Sequence, residues 1–527
     1  MSLFGKVGRR RPRAVFAMAL VYLVLVLGAL TTLYPFATMV TTGFKGTTDQ
    51  DDNKLVPGYW SDDAELLKKY IDDKYAGNAN LIASTKNTSP ADTAELATYQ
   101  KFLMQLPPDA WVAGFSTPSA NVTSRLNRVW QDWLRTRYHT VEKVNDAYTE
   151  FNGAFQQITP PPERLEDPAW NPKNDQKWRD WLEFKSTLPA EFRIPVTGNR
   201  LYQEFLRVKY KNQIGDVPKT VAFNGKPDFS NAGLSPNWKD ALPPDESEFY
   251  SKGLPKVFAN GVTLERQWAA FAGLGTQKEG SPTLTLPIAA FDSAYLHAHQ
   301  SEIRREFTWR NYAYVLDYVL INGRAVANTV IFCLLTILVQ LTVNPIAAYA
   351  LSRYPMKATG KILIFLLATL AFPAEVALIP SFLLLKDLHL LNTFAALVLP
   401  AAASGYMVFL LKGFFDSLPA DVFESAQIDG APEWKMMLRI AFPLSKPVFG
   451  YLALLAFMGA YGAFIYAFLV AQDRNIWTLM VFIYQLQLVA PKSMVMAAVT
   501  LAALPTLVVF LLAQNVIMRG IVLPGER

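Results

Sequence analysis

The sequence predicts an all-α integral membrane protein: six transmembrane helices, with a large, mostly helical extracytoplasmic insert between the first and the second. Three observations lead there. Of 527 residues, 51% are hydrophobic and 18% charged, and the mean hydropathy of +0.15 is too apolar for a soluble protein of this size. Apolar runs recur that are long enough to cross about 30 Å of hydrocarbon at about 1.5 Å per residue. Lys and Arg gather in alternate connections between those runs, as they do in cytoplasmic loops.

The formal charge of +6 collects near the ends of the apolar runs. It therefore reads as topology and not as nucleic-acid affinity, and no stretch carries a nucleic-acid fingerprint. Cys333 is the only cysteine, which excludes a disulfide framework and a cysteine-cluster metal site.

The first run, 14–40, follows Lys6, Arg9, Arg10, Arg11 and Arg13. A secretory signal would have a shorter apolar core, so residues 1–41 read as a cytoplasmic tail and the first span. From 42 to 306 the composition becomes that of a soluble domain, rich in charge, Pro and Trp, which the charge rule places outside the cytoplasm. This insert holds a repeat. Sliding the chain by 72 positions superposes Asn127–Tyr138 on Asn199–Tyr210, and the match resumes at Phe151-Asn-Gly153 and Phe223-Asn-Gly225, giving copies over 127–153 and 199–225. Shorter echoes lie at Tyr99–Leu103 and Trp178–Leu182. Aromatics at i and i+3 with Leu at i+4 describe one helix face, which the copies bury by packing together. The many Trp residues of the insert suit either a helical core or aromatic platforms for sugar rings, and helical spacing favours the core. His297 and His299 lack the further ligands of a metal site.

Five more runs follow, near 326–351, 362–385, 390–411, 448–471 and 494–517. Gln340 and Asn344 interrupt the second span and Glu375 the third. Polar groups at membrane depth must be satisfied by neighbouring helices or water, so these three residues are candidates for a translocation path. With six spans, both termini are cytoplasmic.

Between the fourth and fifth runs lies a polar loop, 416–443. Ser417 is positioned to cap a helix, Pro419 suits its first turn, and Asp421 puts a negative charge at its positive end. Gly430 supplies the left-handed residue that ends the helix, and Pro432 opens a second one. There Trp434, Met437 and Leu438 share a face, while Lys435 and Arg439 stay wet.

This loop resembles the EAA loop of ABC importer permeases, in which Glu-Ala-Ala, a Gly and a later Ile-x-Leu-Pro recur. Glu424, Ala426, Gly430, Ile440 and Pro443 stand where that pattern has them, with Ser425 in place of the middle Ala and Phe442 in place of Leu. The runs Ile428-Asp429-Gly430 and Pro443-Leu-Ser-Lys-Pro447 are similar to the carbohydrate-importer, maltose-permease branch. Phe307-Thr-Trp-Arg-Asn-Tyr312 looks like the lead-in to the membrane core of that branch, so 307–527 reads as the permease core. One departure lies in the fifth span, where Tyr461-Gly462-Ala463 occupies the place of the family's Trp-Asn-Glu; this adds Tyr461 to the path candidates and leaves the substrate open.

The resemblance implies an inner-membrane subunit forming half of a pore for a sugar or oligosaccharide. Its partners would be an ABC ATPase dimer, a second permease, an extracytoplasmic solute-binding protein and membrane lipid. Glu424, Ser425, Ala426, Asp429, Gly430, Ile440 and Pro443 would couple it to the ATPase. No Walker A loop exists, since Gly360-Lys361 lacks the flanking pattern, so ATP-Mg would be held by the partner and no cofactor or metal by this chain, which is not an enzyme. The resemblance does not cover the insert, which could contact the solute-binding protein or close over the pore mouth. The competing readings are a membrane-tethered glycan-binding or glycan-cleaving ectodomain and a secondary carrier. The carrier is disfavoured because buried charge is scarce.

Overall fold

A computed structural model describes residues 12–519 except 79–80, 83–90, 117–123, 166, 168–169, 236–241, 256–257, 259–261, 274–284, 322–323, 355 and 372. The basic cluster at 6–11 and the tail 520–527 lie outside the described residues. The chain is mostly helical and divides into two compact units, Met1–Asn311 with Val489–Met494, and Tyr312–Leu488 with Val495–Arg527.

The first unit opens with α1 (Pro12–Thr42), apolar on every side, whose stretch Met18–Thr42 is long and apolar enough to cross a membrane. The insert follows as α2 (Asp63–Lys74), α3 (Thr93–Gln105), α4 (Arg125–Tyr138), α5 (Val141–Tyr148), α6 (Gln176–Thr187), α7 (Gly198–Lys209), α8 (Pro244–Glu248), α9 (Leu264–Phe271), α10 (Ile288–Ala298) and α11 (Gln300–Val315). Asp62, Asp92, Ser124, Thr140, Asp175 and Thr197 each accept a backbone N–H in the first turn of the helix they precede, so local sequence sets most of these starts. Two short antiparallel pairs interrupt the all-α expectation: β1 (Trp111–Ala113) with β2 (Arg193–Pro195), and β3 (Ala222–Phe223) with β4 (Ala232–Gly233). Strands of two or three residues leave no period-two signature to read.

The repeated motif falls on α4 and α7, and its side chains make matching contacts. Trp130 and Trp133 meet Phe184 of α6 at centroid distances of 5.1 and 5.9 Å; Tyr202 and Phe205 meet Phe249, just after α8, at 5.3 and 5.6 Å. Gln131 Nε2 donates to the carbonyls of Gln156 and Ile158, and Gln203 Nε2 to those of Ser230 and Ala232. Tyr138 donates to Asp180 while Arg137 pairs with Asp180 and Glu183; Tyr210 donates to Asp245 while Lys209 pairs with Asp245 and Glu248. Each copy is thus a helix locked to a following Asp-x-x-Glu-Phe segment.

Trp111, Trp130, Trp181 and Trp268 are at most 2% exposed. They are core, and offer no ring face to a sugar. Several buried charges in this unit are paired: Lys74 Nζ lies 2.5 Å from Asp292, which also accepts from Tyr75. Arg310 is held bidentately by Asp73 and again by Glu306, which also meets Arg128. Burial alone would raise the Glu306 carboxyl, but Arg310 and then Arg128 outweigh it and bring it down to about 2. Glu265 moves the other way: burial raises it although the N–H groups of Gly198 and Asn199, at the start of α7, donate to it. His299 stacks on Tyr295, and no group of three metal-ligating side chains occurs among the described residues.

The second unit contains α12 (Ala325–Arg353), α13 (Thr359–Ala368), α14 (Ala374–Asp387), α15 (Phe394–Val398), α16 (Gly405–Asp416), α17 (Ala420–Ile428), α18 (Glu433–Leu444), α19 (Lys446–Tyr461), α20 (Phe464–Val470), α21 (Leu479–Gln487) and α22 (Lys492–Arg519). Among the described residues, three helices are long and apolar enough to cross a membrane, or up to five when two bent pairs are each counted as one. The expected third span, 362–385, is two helices separated by a 3-10 turn at Thr369–Ala371 and by Pro373, whose ring disfavours helix in the residue before it. The expected fourth is bent by 52° between Ala401 and Gly405, and the expected fifth stops at Tyr461 before resuming at Phe464. Helix α12 packs on α16 and α19 around Tyr349, Leu411, Phe415, Val448 and Leu452.

Candidate functional site

The loop helix α17 does not start as its sequence suggests. Ser417 Oγ donates back to the carbonyl of Phe414 and closes α16, and Pro419, not Ser417, precedes the first turn of α17 without a side-chain cap. A hydroxyl that can bond either neighbouring backbone went to the helix behind it. Asp421 lies in the first turn as expected. At the other end, Ala431 N donates to the carbonyl of Ala426 and Gly430 N to that of Gln427, with Gly430 at φ +74°: a Schellman ending. A Cβ on Gly430 would meet nothing within 4 Å, so conformation and not space requires glycine here.

The second loop helix turns a different face inward than its apolar spacing suggests. Trp434 and Leu438 are 63% and 48% exposed, while Met436 and Ala441 are buried and Met437 and Ile440 half-buried. A π turn over Met437–Ala441 shifts the register of the helix, which spacing at 3.6 residues per turn cannot anticipate. α18 meets α19 at 82°.

The outcome is a kinked pair with an exposed polar and apolar surface. Glu424, Ser425, Asp429 and Gly430 are exposed, Ile428 is 87% exposed, and Ala426 and Ile440 pack on the core behind. Pro443 is exposed, so it does not pin α18 to the bundle. Glu424 has no ion pair among the described residues. Ser425 Oγ donates to the Asp421 carbonyl, so this small side chain stays folded against its own helix.

The inward anchor of α17 is Phe423, 5% exposed, and its ring lies 3.6 Å beneath the Arg353 guanidinium. Arg353 ends α12 and also donates to the Phe415 carbonyl at 3.0 Å. One turn back, Tyr349 donates to Glu433 of α18 at 3.1 Å, and Ser352 to Asp416 of α16 at 2.6 Å. The last turn of α12 therefore grips the loop before, within and after α17. In the sequence Arg353 is one more basic residue in the connection after the second apolar run; its packing on an aromatic seventy residues later leaves no local signal.

Three of the four path candidates serve the backbone. Gln340 Nε2 donates to the Ala401 carbonyl at 2.7 Å; Asn344 Nδ2 donates to the carbonyls of Gln340 and Ala402, and its Oδ1 accepts from Ser404 N. Together they satisfy the polar groups freed where the α15–α16 pair bends, as membrane depth demands. Tyr461 donates to the Ala502 carbonyl and ties α19 to α22. Glu375 is exposed in the first turn of α14, away from the other three. The structure thus joins Gln340 and Asn344 at one break and leaves Tyr461 and Glu375 apart.

Residues 344–522 match the family described as binding-protein-dependent transport system inner membrane component. The chain is 30% identical over 242 residues to the sn-glycerol-3-phosphate transport system permease protein UgpE of Yersinia pestis bv. Antiqua (strain Antiqua), covering 44% of this chain and 85% of that one. It is 27% identical over 221 residues to the arabinooligosaccharides transport system permease protein AraQ of Bacillus subtilis (strain 168), covering 41% and 78%. Among solved structures it is similar to a bacterial ABC transporter involved in the import of the acidic polysaccharide alginate, at 22% identity and TM-score 0.36, over 39% of this chain and 78% of that one. With 85% of a 30%-identical relative covered, and the family match lying on the helices built above, this chain belongs to the binding-protein-dependent transport system inner membrane components, the permease subunits of ABC importers.

Proposed function

We propose that this chain forms half of the translocation pore of an ATP-driven importer for a sugar or oligosaccharide, and that the α17–α18 loop couples it to a separate ATPase dimer holding ATP-Mg. A second permease would complete the pore and a solute-binding protein would deliver the substrate. In this reading the chain has six spans, both termini and the loop are cytoplasmic, and the insert 42–306 lies outside. The arabinooligosaccharide permease among its relatives, together with the Ile428-Asp429-Gly430 run, supports a carbohydrate.

One observation carries the coupling role: a kinked helix pair presents Glu424 and Ile428 outward while Phe423 and Glu433 are fastened behind to the end of a membrane helix. A push on the exposed face has a stiff route into α12, and α12 holds the bend between α15 and α16 through Gln340 and Asn344.

Glu424→Lys reverses the exposed charge, and Gly430→Asp puts a side chain on a left-handed backbone. Each should leave the subunit inserted and the ATPase active but lower uptake. A coupling free energy of about 1–3 kcal/mol corresponds to about 5- to 150-fold. Transport and ATPase assays in proteoliposomes measure this; unchanged uptake in both variants would remove the loop from the mechanism.

A further inference from the structure

We infer that Phe44, Trp60 and Trp309, with Leu55 and Val56, form an aromatic foot by which the insert rests in the headgroup region of the bilayer beside α1. The inference rests on α1 crossing the membrane, not on which side the insert faces.

Phe44 comes two residues after the end of α1, and its ring meets Trp60 at 5.6 Å and Trp309, edge-on, at 5.7 Å. Trp60 and Trp309 are 39% and 57% exposed, Leu55 and Val56 41% and 59%. The large core tryptophans of the same unit are sealed, whereas these two are exposed, packed on one ring and adjoin the span. Trp60 Nε1 donates to Thr308 Oγ1 at 3.0 Å, which leaves the apolar ring edge facing out with its N–H already satisfied.

The patch is built rigidly. Tyr59, 2% exposed, donates to the Phe44 carbonyl, and Asn311 Nδ2 donates to the carbonyls of Gly43 and Lys45. The buried Lys45 ammonium donates to the carbonyls of Asp52 and Lys54, which closes the loop that projects Leu55 and Val56. α1 is apolar, exposed through residues 19–36 and half-buried over its last six residues, where it meets the insert, so the first side chains beyond it lie at the depth where Trp and other amphipathic rings are favoured. Several apolar side chains gathered in one rigid patch beside a span suit a lipid interface, unlike single exposed side chains such as Val208.

The test uses the full chain in phosphatidylcholine nanodiscs. On a Cys333→Ser background, a nitroxide at Val56→Cys should be more accessible to oxygen than to a water-soluble nickel chelate, and a nitroxide at Val208→Cys, on the exposed face of α7, should show the reverse. Equal nickel accessibility at the two positions overturns the proposal. In parallel, acyl-brominated lipid should quench part of the tryptophan fluorescence, and that part should fall in the Trp60→Phe/Trp309→Phe double variant. Quenching unchanged in the double variant also overturns it. An impermeant thiol reagent on Val208→Cys in cells reports which side the insert faces, so failure of the topology and failure of the foot are read separately.

Discussion

Arg353 shows how much one side chain can decide. Its guanidinium covers Phe423 and reaches the Phe415 carbonyl, so it belongs to α12 by chain and to the coupling loop by contact. It acts through Phe423 and is a positioning residue. Arg353→Ala removes a stacking contact of about 0.5–2 kcal/mol. Uptake should fall while ATPase binding to the subunit, measured by co-purification, persists. Arg353→Lys keeps the charge but not the planar fork, so it should recover only part of the uptake lost in Arg353→Ala. Glu306 offers a pH test of the insert. Its carboxyl, at about 2 against an ordinary 4.5, is held ionised in the folded chain, so it contributes stability above the ordinary value, and that contribution is lost as pH falls from there toward 2. Thermal unfolding followed from about pH 6 to about pH 3 should show a steeper loss in the natural chain than in Glu306→Gln.

Elements were legible in unequal measure. The starts of α2 to α7 follow from capping residues that act within one turn, and the repeat could be read because aromatics recur at a fixed spacing. The contacts that make the repeat a unit were not legible, since Phe184 and Phe249 lie outside the aligned copies. Gln131 and Gln203 each satisfy two backbone carbonyls. Replacing either with Leu strands those groups at about 1–3 kcal/mol each, so Gln131→Leu and Gln203→Leu should lower the unfolding temperature by similar amounts. A large difference between them would mean that the two copies are not energetically equivalent. Ser417 and the π turn of α18 were misread for one reason. A hydroxyl has two backbone partners within reach and a helix can admit an extra residue, and in both cases packing chose.

At the scale of the whole molecule, the apolar runs correspond to helices, but bends and breaks divide them. Gly405 allows one close approach, since a Cβ there would sit 2.3 Å from the Leu366 carbonyl oxygen. Topology is testable at the two most exposed ends of the proposed arrangement. On a Cys333→Ser background, Val208→Cys should react with an impermeant thiol reagent added to intact cells, and Ile428→Cys should react only after permeabilisation. The opposite pattern would place the loop outside and end the importer reading.

Composition and charge pattern alone determined that this is a helical membrane protein with a long polar insert, and the residues from Glu424 to Pro443 were enough to point to the permease family. Those properties are local: hydropathy, capping and loop chemistry act over a few turns. Tertiary structure alone decided which tryptophans are core and which stay exposed, that Gln340 and Asn344 bind a broken backbone, and that Arg353 holds the loop. Each joins residues dozens to hundreds of positions apart, and no spacing in the chain encodes which buried polar group will find which partner.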